Sequence, residues 1–275
     1  MDDQQYIKIV STFTQKPPQE KCIWFPNGKL CIIYIEFRDL QIIETNLYNL
    51  CNVYGGDDVA LCIIHSEVNK KIIHRITSDW KNVKYMVPFE NNINIDEYNS
   101  LLCSYNFWNN FSNFEHVLIN QWDSYIFKKI PKPFFDYDYV GAPCAHFYVI
   151  YDENLMNICS SKCKCPRCIT TPGHPFVDKN FSNDNHRIYM FNGGFSLRRV
   201  SVMKMICQYK KWSGEPEDVY FCLNNINKPT REEACKFAIQ DYAITNDTPV
   251  GVHQIWKHQD YDYVNCLFND RSKFL

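Results

Sequence analysis

Leu30-Cys31-Ile32-Ile33-Tyr34-Ile35-Glu36 is a continuous apolar run, short and rich in β-branched residues. Such a run suits a strand buried on both faces, as in a parallel sheet covered by helices. Just downstream, Leu40, Ile43, Leu47 and Leu50 recur at helical spacing, and Gly55-Gly56 should end that helix after Tyr54. Val59-Ala60-Leu61-Cys62-Ile63-Ile64-His65 repeats the buried-strand pattern, a polar helical stretch covers about residues 67–78, and Val83 to Val87 reads as a third strand. Strands alternating with helices predict an α/β fold with a parallel sheet. Ligands of such sheets bind beyond the carboxyl ends of the strands, where Glu36, Arg38 and His65 stand. Upstream, residues 1–28 are polar and interrupted by prolines, which predicts a loosely packed lead-in or an edge strand.

Farther along, Asp96 to Trp108 reads as a helix capped by Asp96, with Tyr98, Leu101, Leu102 and Tyr105 on one face. His116-Val117-Leu118-Ile119-Asn120 is a fourth strand, ending in Gln121-Trp122-Asp123-Ser124. A carboxylate just past a buried strand needs a partner, because an unpaired buried charge is costly. Asp123 therefore either caps the next turn or binds a divalent cation that neutralises a diphosphate. In Asn192-Gly193-Gly194-Phe195-Ser196-Leu197-Arg198-Arg199, the two glycines allow close backbone approach to a ligand. Phe195 and Leu197 alternate there with Ser196 and Arg198, as in a half-buried strand. Glu217-Asp218-Val219-Tyr220-Phe221 then sets a carboxylate pair before an apolar run. The pair fits a proton-handling site or, more simply, an acid-rich helix N-terminus. From Gln240 to Leu275 the chain is too aromatic for a free tail and should pack back on the sheet, carrying His253 in.

The bulk composition narrows the function classes. With 275 residues, 45% of them hydrophobic and 16% aromatic, the chain is long and apolar enough for a sizeable core. A formal charge of -2 argues against a nucleic-acid partner. No apolar run approaches the roughly 18 residues of a membrane span. The polar Met1-Asp2-Asp3-Gln4-Gln5 is unlike a signal peptide, so a cytoplasmic protein is expected. Abundant Asn, Ile and Lys point to an AT-rich genome, such as that of a large DNA virus or a protist. Of the 14 cysteines, most stand singly in apolar runs and read as buried free thiols. Cys159, Cys163, Cys165 and Cys168 instead crowd together, with His174 shortly after. Four soft ligands suit a structural Zn²⁺ site, with His174 or His186 able to replace one thiol; free surface thiols or redox chemistry are the alternatives. Lys162, Lys164 and Arg167 would offset thiolate charge. The cluster marks a Cys-rich insertion at about residues 152–186.

Six segments in order resemble the DUF5672 group, a glycosyltransferase-like family with the GT-A fold. They are Asp96-Glu97-Tyr98-Asn99-Ser100-Leu101-Leu102 with Phe107-Trp108, Val117 through Ser124, Tyr137-Asp138-Tyr139-Val140-Gly141-Ala142-Pro143, Asn192 through Arg198, Glu217 through Phe221, and Gly251-Val252-His253-Gln254-Ile255-Trp256. The resemblance implies one GT-A-like (Rossmann-like) domain over 29–275, a mixed central sheet flanked by helices, with the Cys-rich loop inserted. It places Asp123 where such enzymes keep the metal-binding Asp of their DxD segment, although Trp122-Asp123-Ser124-Tyr125 lacks the second acid. His253 takes the place of a C-terminal His ligand for Mn²⁺ or Mg²⁺. The Glu-Asp-Val-Tyr element also looks like that of inverting β-1,3-glycosyltransferases, which makes Asp218 the implied base and Glu217 its support or alternative. Gln121, Asn192, Gly193 and Gly194 would line the donor or acceptor pocket, and Glu36 and Arg38 the nucleotide end. The implied activity is metal-dependent transfer of a sugar from a nucleotide sugar, a UDP-sugar foremost, to a hydroxyl of a glycan or protein, with inversion. Two other readings stay open: a GT-A-like domain that binds a glycan or nucleotide sugar without turnover, and a zinc-stabilised protein-interaction module.

Overall fold

A computed structural model describes residues 1–150, 156–160, 187–243 and 247–270. Its centre is strand β1 (Leu30–Ile35), every residue of which is buried. β2 (Val59–Ser66) runs parallel along one side, with Leu30 opposite Val59. β4 (His116–Gln121) runs parallel along the other, from Leu30 opposite His116 to Ile35 opposite Gln121. A strand hydrogen-bonded on both edges and covered on both faces has no place for a polar side chain, which is why the run reads as unbroken apolar. β3 (Lys84–Phe89) adds to β2 at the edge, where partial exposure and Pro88 are tolerated.

Beyond β4 the direction reverses. β8 (Arg187–Arg199) pairs antiparallel with β4, β6 (Tyr139–Ile150) antiparallel with β8, and β7 (Met156–Ser160) antiparallel with β6. The seven-stranded order is β3-β2-β1-β4-β8-β6-β7. The all-parallel pattern read from the first strands thus holds for one half only, and the sheet is mixed. A second, three-stranded sheet joins β5 (Ser124–Ile126), β10 (Gly251–His253) and β9 (Ala238–Ile239), with His253 opposite Ser124. The result is a mixed α/β domain with helices flanking the central sheet.

Residues 1–28 differ from the expected loose lead-in. They contain helix α1 (Asp3–Thr12), closed by a reciprocal cap between Asp2 and Gln5, with Tyr6 and Val10 buried. Tyr6 stacks on Trp256 at 3.8 Å between ring centroids and meets Phe268 edge-on. The chain's two ends thereby share a small second core over the three-stranded sheet. The tail does pack back as expected, but onto that sheet and α1. Helix α2 (Ile43–Tyr54) buries Asn46 and Asn49. Both are satisfied by backbone of the β4–β5 segment: Asn46 donates to the Trp122 carbonyl after β4, and Asn49 pairs with both backbone groups of Ile126 in β5. α2 therefore fixes the turn that holds Asp123. Helix α3 (Glu67–Ile76) follows β2, capped by Ser66.

The helix expected over Asp96 to Trp108 is two: α4 (Ile95–Leu102), capped by Asn94, and α5 (Tyr105–Asn109), capped by Ser104. Ser104 accepts from the Phe107 amide and starts a new helix in a stretch whose apolar spacing looked continuous. Later come α6 (Val200–Tyr209), α7 (Glu217–Cys222), α8 (Arg231–Phe237), α9 (Ile255–His258) and α10 (Tyr261–Asp270). Among the described residues, no helix is long and apolar enough to cross a membrane. Seven of the singly placed cysteines are buried as free thiols, matching their reading as core filler.

Candidate functional site

The carboxyl ends of β1 and β4 open into a cleft of about 300 Å³. Asp123 lies at its foot, 3% exposed, in the turn from β4 to β5. Its Oδ2 accepts from Gln254 Nε2 at 2.7 Å, and its carbonyl accepts from the Gln254 amide at 2.8 Å. Its Oδ1 stands 3.2 Å from His253 Nε2, yet neither atom makes a hydrogen bond. On the far side of the ring, His253 Nδ1 meets Gln240 Oε1 at 2.8 Å. Because that oxygen can only accept, Nδ1 donates to it, which leaves Nε2 as the ring atom facing Asp123. With Nε2 unprotonated, two buried acceptors confront each other, so the pair requires either a proton or a cation between them. Burial pushes the Asp123 carboxyl up, but His253, Gln254 and Lys257 outweigh it and hold it below its ordinary value.

The Gly193-Gly194 pair forms a wall behind Gln121 and His253 and does not itself line the cleft. A Cβ on Gly194 would come 2.2 Å from His253 Nε2 and 2.4 Å from Gln121 Oε1; one on Gly193 would sit 1.7 Å from Glu217 Oε1. Glycine is required here for close approach, although what approaches is not the ligand expected from the sequence. The neighbours are side chains of this chain itself. Asn192 Oδ1 accepts from the Gly194 amide, and Ser124 Oγ donates to the Gly194 carbonyl, tying the wall to β5. Gln121, Asp123, Gly194 and His253 are therefore brought together.

Ser196 and Arg198 differ from the half-buried strand expected of them, since both are fully buried. The Arg198 guanidinium donates to Glu217 Oε2 at 2.6 Å and Oε1 at 3.0 Å, to Ser196 Oγ and to the Gly193 carbonyl. It also lies over the Tyr139 ring at 4.6 Å. Burial opposes its charge, but Glu217 overrides that and raises the guanidinium above its ordinary value. Both Glu217 oxygens are occupied. The geometry makes Glu217 the counterion that ties the glycine wall to α7, which corrects its reading as an alternative base.

Asp218, the next residue, has no such partner among the described side chains and is only half-buried. Its Oδ1 accepts from the Val219 amide at 2.8 Å. Burial and the neighbouring Glu217 charge raise its carboxyl to about 6, against smaller lowering by Val219, Arg198 and His253. A carboxyl poised near neutrality can exchange protons at physiological pH.

Glu36 and Arg38 do line the cleft. However, Glu36 accepts from the Phe37 and Arg38 amides and from Arg38 Nε and Nη2, all at 2.8–2.9 Å. With its oxygens engaged it serves to hold Arg38, whose guanidinium lies 5.3 Å from the Trp122 ring. His65, expected at a strand end, is fully buried beside His74 and does not reach the cleft. The sequence reading passed over Tyr98, Gln254 and Lys257 in the cleft lining, and Gln240 behind His253. Only Gln254 carried a signal, as the residue following a candidate ligand.

Cys163, Cys165, Cys168, His174 and His186 lie outside the described residues, and Cys159 falls in β7 without a described side chain. Among the described residues, no three His, Cys, Asp or Glu side chains gather to hold a metal. Asp123 and His253 are a pair.

No curated protein matches the chain. The model of the family described as "Protein of unknown function (DUF5672)" matches residues 83–253. That interval starts at the edge strand β3, contains Asp123, Gly193, Gly194, Glu217 and Asp218, and ends on His253. It covers well over half of the sequence, and the chain belongs to the DUF5672 family.

Proposed function

We propose that the protein is a metal-dependent glycosyltransferase of the GT-A type, taking a nucleotide sugar in the β1–β4 cleft and transferring its sugar to a hydroxyl acceptor with inversion. One observation carries the reading. Asp123 Oδ1 and His253 Nε2 face each other at 3.2 Å, buried and without a hydrogen bond, at the foot of an open cleft. A carboxylate oxygen and a neutral imidazole nitrogen are a donor set suited to Mn²⁺, or to Mg²⁺ with water and phosphate completing the shell. A divalent cation held there would neutralise the charge of a diphosphate leaving group. Arg38 and Lys257, both lining the cleft, add positive charge on the same side.

Asp218 accepts the proton of the attacking hydroxyl in this scheme. Its raised carboxyl is ionised above about pH 6 and basic enough to take that proton. Glu217 and Arg198 keep the Gly193-Gly194 wall in place. In this scheme the glycines let Gln121 and His253 sit where a side chain at position 194 would displace them. The mixed sheet, with its parallel half ending at the cleft and its antiparallel half carrying the glycine wall, supports the GT-A assignment.

The test is thermal shift with a panel of nucleotide sugars, with and without Mn²⁺. A binding donor at about 100 times its dissociation constant stabilises by about 2.7 kcal/mol. Stabilisation by a donor that requires Mn²⁺ and vanishes in Asp123→Ala is the expected result. Shifts by no nucleotide sugar at all would sink the reading. Metal-dependent binding without release of nucleoside diphosphate would instead identify a nucleotide-sugar-binding domain. For the Cys159, Cys163, Cys165, Cys168 and His174 cluster we propose structural Zn²⁺ on sequence spacing alone. Metal analysis should find about one zinc per chain, lost in the Cys165→Ser, Cys168→Ser double variant.

A further inference from the structure

Gln254 is one of two described non-glycine residues with a left-handed backbone, at φ 46° and ψ 27°. A side chain there costs on the order of 1 kcal/mol and persists only where the surroundings dictate it. Two hydrogen bonds do so, both to the same residue. The Gln254 amide donates to the Asp123 carbonyl at 2.8 Å, and its Nε2 donates to Asp123 Oδ2 at 2.7 Å. The same bend lets His253 end β10 facing Asp123 Oδ1, while Lys257 on the following α9 enters the cleft. One carboxylate oxygen is thus saturated by an amide donor, and the other is left bare toward His253.

From this geometry we infer that Gln254 is the positioning residue of the cation site: it clamps Asp123 by Oδ2 so that Oδ1 is presented to a divalent cation with His253 Nε2. The inference rests on the metal reading above and adds to it a way for the site to work with one acid. A free carboxylate would rotate about its last bond and pair either oxygen with its neighbours. The Gln254 amide removes that freedom, since Nε2 is a donor only and must face the carboxylate. Groups that orient metal ligands in this manner change metal affinity by about 10- to 100-fold when lost.

Glycine tests the side chain separately from the bend, because it adopts the left-handed conformation without strain. Gln254→Gly should keep a metal-free melting temperature close to that of the wild type while weakening Mn²⁺ binding by about 10-fold or more, read by calorimetry or by the spin-resonance signal of free Mn²⁺. Gln254→Glu sets a second carboxylate against Asp123. It should lower the metal-free melting temperature and give a larger Mn²⁺-induced rise than the wild type shows. Wild-type Mn²⁺ affinity in Gln254→Gly, with binding still lost in Asp123→Ala, would overturn this inference and leave the metal site standing. No Mn²⁺ binding by the wild type would overturn both.

Discussion

Glu217→Ala is expected to lower the free energy of unfolding by about 3–5 kcal/mol, because it strands the Arg198 guanidinium, fully buried, without its counterion. The remaining partners, Ser196 Oγ and the Gly193 carbonyl, are neutral and do not replace a carboxylate bound at two oxygens. For a chain of this size the loss corresponds to a fall in melting temperature on the order of 10 °C. Urea denaturation followed by fluorescence would show it as a lower midpoint with unchanged slope. The double variant Arg198→Met, Glu217→Leu should recover much of the loss, since buried ion pairs are often replaceable by apolar residues of similar volume. An unaltered midpoint in Glu217→Ala would refute the assignment of Glu217 as a structural counterion. Large effects at this position follow from its place: the pair joins β8, with its two glycines, to α7, so one charge holds two elements together.

Asp218→Asn should reduce release of nucleoside diphosphate by about 10²- to 10⁴-fold while leaving Mn²⁺-dependent donor binding intact. Asparagine keeps the oxygen that accepts from the Val219 amide, so the start of α7 is preserved while the proton acceptor is removed. The wild-type profile of kcat/KM should carry an acidic limb near about pH 6, the value to which burial and Glu217 raise the Asp218 carboxyl. The sign is fixed by the role. A base works ionised, so activity rises as pH increases through that value and is lost below it. Turnover undiminished in Asp218→Asn would move the base elsewhere.

The apolar patterns up to the end of β4 were sufficient for the parallel half of the sheet. Unbroken apolar runs at Leu30–Ile35 and Val59–Ser66 are the signature of strands buried on both faces. The antiparallel half was less legible. β8 is buried on both faces although its sequence alternates, because Ser196 and Arg198 are satisfied by Gly193 and Glu217 rather than by water. A polar residue in a strand marks an exposed face only when no partner waits inside, and the partner here lies 19 positions away. Likewise, α1 fully buries only Tyr6 and Val10, in a core whose other side comes from the far end of the chain.

Local chemistry, then, was the sequence's own contribution: buried strand runs, capping residues, glycines at a close approach, and the residue types Asp123, His253 and Asp218 that a site of this kind needs. The family resemblance had put Asp218 before Glu217 as the base, and tertiary structure is what separates the surroundings of the two acids. Burial beside Arg198 turns Glu217 into a counterion and leaves Asp218 as the raised, half-exposed carboxyl. Pairing of β10 with β5 sets His253 against Asp123 across 130 positions, and the left-handed bend at Gln254 leaves one oxygen of that lone acid bare. Distances and burial set charge state and partner, and neither is encoded by neighbours along the chain.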